Sequence, residues 1–165
     1  MPKKQWVFDT VALSNFLLSD ATFILEKRYH NRGLIPWQVY DEISAGMVQY
    51  PKLKQVSTLI DSQVLELITL SKTEHNHFLE LIGILGKGEA ACLAIAKKRG
   101  VIVVTDDRTA RGRCSLLKIP FTGTIGILKA AHLQGQLSMA QANEILAKMI
   151  QAGFYSPVRS MSDIL

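Results

Sequence analysis

The chain has 165 residues, a formal net charge of +5, 48% hydrophobic residues and 20% charged ones. That is globular composition, expected as one domain over residues 1–165, with a core large enough to need neither disulfides nor structural metal. No apolar run approaches the roughly 18–20 residues that span a bilayer. The basic N-terminus reaches Asp9 before any long apolar region, and Cys92 and Cys114 make no disulfide framework. Secreted, membrane-spanning and fibrous classes are excluded, and a reducing cytoplasm is the expected location. The pI near 9.3 permits a nucleic-acid partner without demanding one.

In chain order, Gln5–Phe8 reads as a short buried strand ending at Asp9, followed by helical spacing over Val11–Leu18 and Ala21–His30. Gly33–Pro36 predicts a second strand, with Pro36 opening a helix through about Met47. Val64–Leu70 predicts a third strand, and Ser71 or Thr73 caps a helix carrying His75–Leu85. Gly86-Lys87-Gly88 breaks that helix. Glu89–Arg99 then starts one that is apolar on nearly every face, closed by Gly100. Val101–Val104 is the strongest strand signal, four β-branched residues running into Thr105-Asp106-Asp107, as an interior parallel strand requires. A helix over Arg108–Leu117, a short strand near Phe121–Thr122, and helices over Ile125–Leu133 and Ser138–Ala152 complete the chain. Strands alternating with helices predict an α/β fold with a mostly parallel sheet. In such sheets ligands bind at the carboxyl ends of the strands, at a topological switch point. Asp9 and Asp106-Asp107 fall at such ends.

Asp9, Glu42, Glu89 and Asp107, with Asp106 as an outer candidate, could therefore share one site. Four carboxylates about 5 Å apart repel by roughly 3 kcal/mol per pair at an effective dielectric near 20, so such a cluster takes up protons or a hard divalent cation. Oxygen-only ligation suits Mg²⁺ or Mn²⁺, and such ions activate water for phosphodiester hydrolysis. Each acid also has a plain structural reading. Asp9 can cap a helix, Glu42 can face solvent, Glu89 can complement a helix dipole, and one of Asp106 and Asp107 can cap the helix at Arg108. Setting the four aside leaves ten acidic residues against 19 basic ones. Lys87, Arg108, Arg111, Arg113 and Lys118 flank the acids, a basic rim that would attract a polyanion. His75 and His77 are two apart and face different ways on a helix, so they do not share a metal. Cys92 reads as a small core residue, and Cys114, near the basic helix with no base beside it, does not read as a nucleophile.

Phe8-Asp9-Thr10 with Ser14, the helix acid Glu42, Gly88-Glu89-Ala90, Asp106-Asp107-Arg108-Thr109-Ala110-Arg111 and Thr122-Gly123-Thr124 together resemble the PIN-domain family. The match is closest to a PIN-like branch with these motifs in this order, over about residues 7–133. The resemblance implies a three-layer α/β/α sandwich around a parallel sheet and a Mg²⁺- or Mn²⁺-dependent ribonuclease of the toxin type. It implies Asp9, Glu42, Glu89 and Asp107 as the metal-binding acids, with Ser14 and Thr105 orienting carboxylates or water. It also implies RNA as substrate, a small antitoxin as partner and a homodimer. The chain departs from the pattern in carrying Glu89 where many members have Asp. It also has Thr109-Ala110-Arg111 where an aromatic commonly follows the last acid.

Three functional readings follow. The first is a metal-dependent endoribonuclease, and the second a non-catalytic module of the same fold that binds nucleic acid or a partner. The third, a phosphatase with Asp9 as nucleophile, ranks last. That chemistry wants a second acid two residues on, where the chain has Val11.

Overall fold

The computed structural model describes residues 3–165. Strand β1 (Trp6–Phe8) lies at the middle of a five-stranded, all-parallel sheet. On one side it pairs with β2 (Gly33–Pro36), which pairs with β3 (Leu65–Ile68). On the other it pairs with β4 (Ile102–Val104), which pairs with β5 (Phe121–Thr122). The order β3-β2-β1-β4-β5 reverses its direction of growth between β1 and β4, which makes that gap the switch point. The ladder register sets Phe8 opposite Val104, so the residues following both strands emerge side by side.

Helices connect the strands and cover the sheet in a three-layer α/β arrangement: α1 (Thr10–Leu18), α2 (Thr22–Tyr29), α3 (Trp37–Ala45), α4 (Gln55–Asp61), α5 (Lys72–Leu81), α6 (Lys87–Arg99), α7 (Arg108–Leu116), α8 (Thr124–Leu133) and α9 (Met139–Gln151). Their caps follow from sequence. Asp9, Ser71, Asp107 and Ser138 each accept an N–H from the first turn of the helix they precede, satisfying donors that otherwise have no partner. Gly100 ends α6 at φ 71, a left-handed position that costs a residue without Cβ little.

Helix α6 is the hub. Every residue from Ala90 to Ala96 is buried, because the helix packs on β1, β2 and β4 on one side and on α3, α5 and α7 around it. The small side chains of Ala90, Ala91, Ala94 and Ala96 permit that close approach on all faces. Its last turn is tied to α5 by Arg99, whose Nε and Nη2 donate to the two oxygens of Glu74 at 2.7 and 3.1 Å. Phe8, Leu13, Phe16, Ile35 and Leu93 fill the interior, each contributing about 1.5–3 kcal/mol by burial. Among the described residues no helix is long and apolar enough to cross a membrane.

Three boundaries differ from the sequence expectation. The helix expected through Leu85 ends at Leu81: the chain turns over residues 82–85, with Ile82 and Ile84 exposed and Leu81 and Leu85 buried. The next helix begins at Lys87, inside the glycine-containing break, with Gly86 as its cap. Between Gly46 and Val64 the sequence reading placed nothing. There the chain forms a 3₁₀ turn (Pro51–Lys54) and α4, burying Leu53, Val56 and Leu59.

Candidate metal and nucleic-acid site

Asp9 follows β1 directly, and its N–H continues the ladder by donating to the Val104 carbonyl at 3.0 Å. One carboxylate oxygen, Oδ1, accepts the Ala12 N–H at 2.8 Å and so caps α1. The other, Oδ2, is buried and has no hydrogen-bond partner. Burial, reinforced by the Asp106 and Glu89 carboxylates, raises this carboxyl from the ordinary 3.8 to about 7. The Thr105 hydroxyl and the Ala12 N–H oppose that rise. Capping alone explains one oxygen of Asp9. It leaves the other unexplained.

After β4 the two adjacent aspartates part company. Asp106 turns toward the switch point: its carboxylate accepts the Thr124 N–H at 2.9 Å, the Thr124 hydroxyl at 2.5 Å and the Asn15 amide at 3.3 Å. Asn15 also donates to Thr124 Oγ1 at 3.1 Å, which closes a small polar network between α1 and the start of α8. Asp107 instead caps α7 by accepting the Ala110 N–H at 2.8 Å, while its own N–H donates to Thr105 Oγ1 at 3.2 Å. The sequence placed Asp106 as the outer acid. In the structure Asp106 is the more enclosed of the two, beside Asp9, and Asp107 is the exposed one on the Glu89 side.

The remaining acids come from helices. Glu42 on α3 accepts the Thr10 hydroxyl at 2.9 Å, and its carboxylate lies directly over Gly88, where any Cβ would collide with it. Glu89, in the first turn of α6, folds back to accept the Gly86 N–H at 3.1 Å. Burial raises the Glu89 carboxyl above its ordinary value, the Gly86 bond opposes this, and the Asp107 and Glu42 carboxylates raise it further. The fold therefore gathers Asp9, Glu42, Glu89, Asp106 and Asp107 into one acidic region at the carboxyl ends of β1 and β4.

Ser14 is spent elsewhere: its hydroxyl donates to the Thr10 carbonyl at 2.6 Å within α1. The side chains that hydrogen-bond Glu42 and Asp106 are Thr10, Asn15 and Thr124. Thr10 and Thr124 lie inside motifs quoted from the sequence, but nothing in those motifs assigns them a partner. Asn15 had no signal, since its partners are far away in the chain. Thr105 does brace the aspartates on both sides.

An open groove of about 910 Å³ leads away from Asp106 and Asp107. Arg108 and Arg111 line it, whereas Arg113, further along α7, and Lys87 do not. Arg111 is held in place: Nε donates to the Thr105 carbonyl at 2.8 Å, and Nη2 lies 3.8 Å from Asp106. Gly123 makes this possible, because a Cβ there would strike the Arg111 guanidinium and the Asp106 carboxylate.

The donor set fits a hard divalent cation. It consists of carboxylate oxygens, one of them buried without a partner, and two of its acids are pushed toward protonation by burial and, further, by neighbouring carboxylates. Among the described residues no three of these side chains already stand as a ready-made ligand group. Asp107 and Glu89 spend oxygens on helix N–H groups, and a cation would have to win them over. A search of curated proteins returned no match. A family model described as a PIN domain matches residues 5–165, nearly the whole chain. With the parallel sheet and the acids at its switch point, that match shows that the chain belongs to the PIN-domain family.

Proposed function

We propose that this chain is a metal-dependent endoribonuclease of the toxin type, hydrolysing RNA phosphodiester bonds with Mg²⁺ or Mn²⁺. PIN domains are in general nucleases and typically use divalent metals. The observation that carries the reading is the buried, partnerless Oδ2 of Asp9 among four further carboxylates. Asp9, Asp106 and Asp107 from the strand ends, with Glu42 and Glu89 from the helices, would hold the ion. An ion held there would supply a lowered pKa for water and charge stabilisation for the leaving oxygen. The chain's own residues do the rest. Thr10 keeps Glu42 aimed across the start of α6, and Glu42 or Glu89 takes the proton of the attacking water. Asn15 and Thr124 hold Asp106, and Thr105 Oγ1 accepts the Asp107 N–H beside Asp9. Arg108 and Arg111 contact the phosphates, and Lys87 and Arg113 add to the attraction for a polyanion. A small antitoxin, a homodimeric state and a cytoplasmic location belong to the same reading.

An RNA cleavage assay in Mn²⁺ tests it. Wild type should cut, EDTA should stop it, and Asp9→Asn should lower the rate by orders of magnitude. Equal rates for wild type and Asp9→Asn would rule out the acidic site. A second reading, a non-catalytic module that binds RNA or a protein, draws on the absence of a ready-made three-ligand group among the described residues. RNA binding in EDTA with no product in Mn²⁺ would favour it.

A further inference from the structure

The groove beside the acids ends at Tyr155, in the segment that follows α9. This side chain is 96% exposed. A tyrosine left in water contributes no packing to the fold. The backbone that carries it is nevertheless pinned at both ends. Phe154 is buried immediately before it, and Ser156 bonds the backbone of Val158 immediately after it. Further along, Met161 is fully buried and its N–H donates to Asn143 Oδ1 at 2.7 Å. Tyr155 is thus held at the wall of the groove by an anchored stretch of chain.

Phe121 on β5 also lines the groove and is 37% exposed. The Arg111 guanidinium lies 5.3 Å from its ring centroid, and Arg108 lies along the same groove. Aromatic faces next to cations match the alternation of base and phosphate along a nucleic-acid strand. An apolar peptide would offer no anion to the exposed Arg108 guanidinium.

We propose that this groove is a stacking subsite for an unpaired nucleobase flanking the reacting phosphate, with Tyr155 and Phe121 supplying the aromatic faces. The inference rests on the nuclease reading above and narrows it to single-stranded substrate, because a base inside a duplex offers no free face. The acidic end of the groove receives the phosphate to be cut, and the aromatic end receives its neighbouring base.

Fluorescence anisotropy of a short labelled uridine oligonucleotide, and of an RNA hairpin duplex, tests this. Both are titrated in EDTA with wild type, Tyr155→Ala and Tyr155→Phe, and cleavage of the oligonucleotide in Mn²⁺ is followed in parallel. Tyr155→Ala should weaken single-strand binding by about 5- to 100-fold, Tyr155→Phe should preserve it, and duplex binding should not change. Melting temperature should be the same for all three proteins, since the side chain packs on nothing. Equal single-strand binding by wild type and Tyr155→Ala, while wild type still cleaves, overturns the subsite and leaves the nuclease reading standing. Wild type that neither binds nor cleaves the oligonucleotide overturns both, as it would if the groove received a protein instead.

Discussion

The Thr10 hydroxyl donates to Glu42 Oε1 at 2.9 Å, joining the first turn of α1 to the middle of α3 across the start of α6. Gly88 lies beneath that bond, with no room for a methyl group. Gly88→Ala should therefore displace the Glu42 carboxylate, which is free to swing because it is exposed. Helix propensity favours the substitution by up to about 1 kcal/mol and offsets the contacts of the new Cβ with Thr10 Oγ1 at 2.9 Å and Val39 Cγ2 at 3.3 Å, so stability should change by no more than about 1–2 kcal/mol. Cleavage should fall by roughly 10- to 100-fold, the usual consequence of moving an active-site group by about 1 Å. Gly112→Ala is the control. A Cβ there meets nothing on α7, and it should keep full activity. Melting curves and cleavage rates of the two variants decide the matter.

Asp9 makes the metal-free protein less stable as pH rises. Its folded carboxyl titrates near 7 against an ordinary 3.8, so the folded state holds a proton that the unfolded chain has lost. Below about pH 4 both states are protonated and there is no penalty. Between 4 and 7 the penalty grows, reaching on the order of 4 kcal/mol above 7. Asp9→Asn removes the charge while keeping an oxygen for the Ala12 N–H. In EDTA at pH 7.5 it should melt about 3–10 °C higher than wild type, and at pH 4 the difference should vanish. A variant no more stable than wild type at pH 7.5 would contradict this.

Metal should act on the same group. Mn²⁺ at about 100 times its dissociation constant adds roughly 2.7 kcal/mol to a protein that binds it only when folded. At this size the melting temperature of wild type should rise by about 5–10 °C, and chelation should reverse the shift. Asp9→Asn should respond little. A shift of the same size in both proteins would place the ion elsewhere.

The Glu74–Arg99 pair is predicted to matter for stability alone. Burial tends to raise the Glu74 carboxyl, but the Arg99 guanidinium and the Ser71 N–H outweigh it and hold the group below its ordinary 4.5. The pair's contribution is therefore complete above about pH 4.5 and is lost as pH falls through the lower folded value. Arg99→Ala leaves a buried carboxylate without its partner. Because Arg99 is itself a third exposed, the cost should be about 2–3 kcal/mol rather than the full 3–5 for a wholly buried pair. Urea melts at pH 7 and pH 4 measure both quantities, and metal-dependent cleavage by the folded variant should be unchanged.

Much of the fold was legible because strand ends and caps are local. Val101–Val104 announces an interior strand, Pro36 announces a helix start, and of the two candidate caps Ser71 and Thr73 the structure uses Ser71. The helix at 55–61 also had its signal in Leu53, Val56, Leu59 and Ile60, but flanking lysines and polar residues masked a spacing this short. Residues 82 to 85 looked like more helix, since burial at Phe78, Leu81 and Leu85 keeps helical spacing through the turn that follows Leu81. At the site, the acids could be listed from sequence and their convergence argued from the switch point. Which aspartate faces Asp9 could not, because that depends on Thr124 and Asn15, residues brought to Asp106 from opposite ends of the chain.

The pairing of Phe8 with Val104 has a consequence for synthesis. Asp9 and Asp106 are about a hundred residues apart in sequence, and they meet only when β4 docks beside β1. A growing chain therefore carries Asp9 and Glu42 through the addition of more than sixty further residues before Asp106 exists to meet them. Contacts of such long sequence separation form late in folding. Every molecule consequently passes through a period in which the acidic region is incomplete, and a chain stalled before β4 never leaves it.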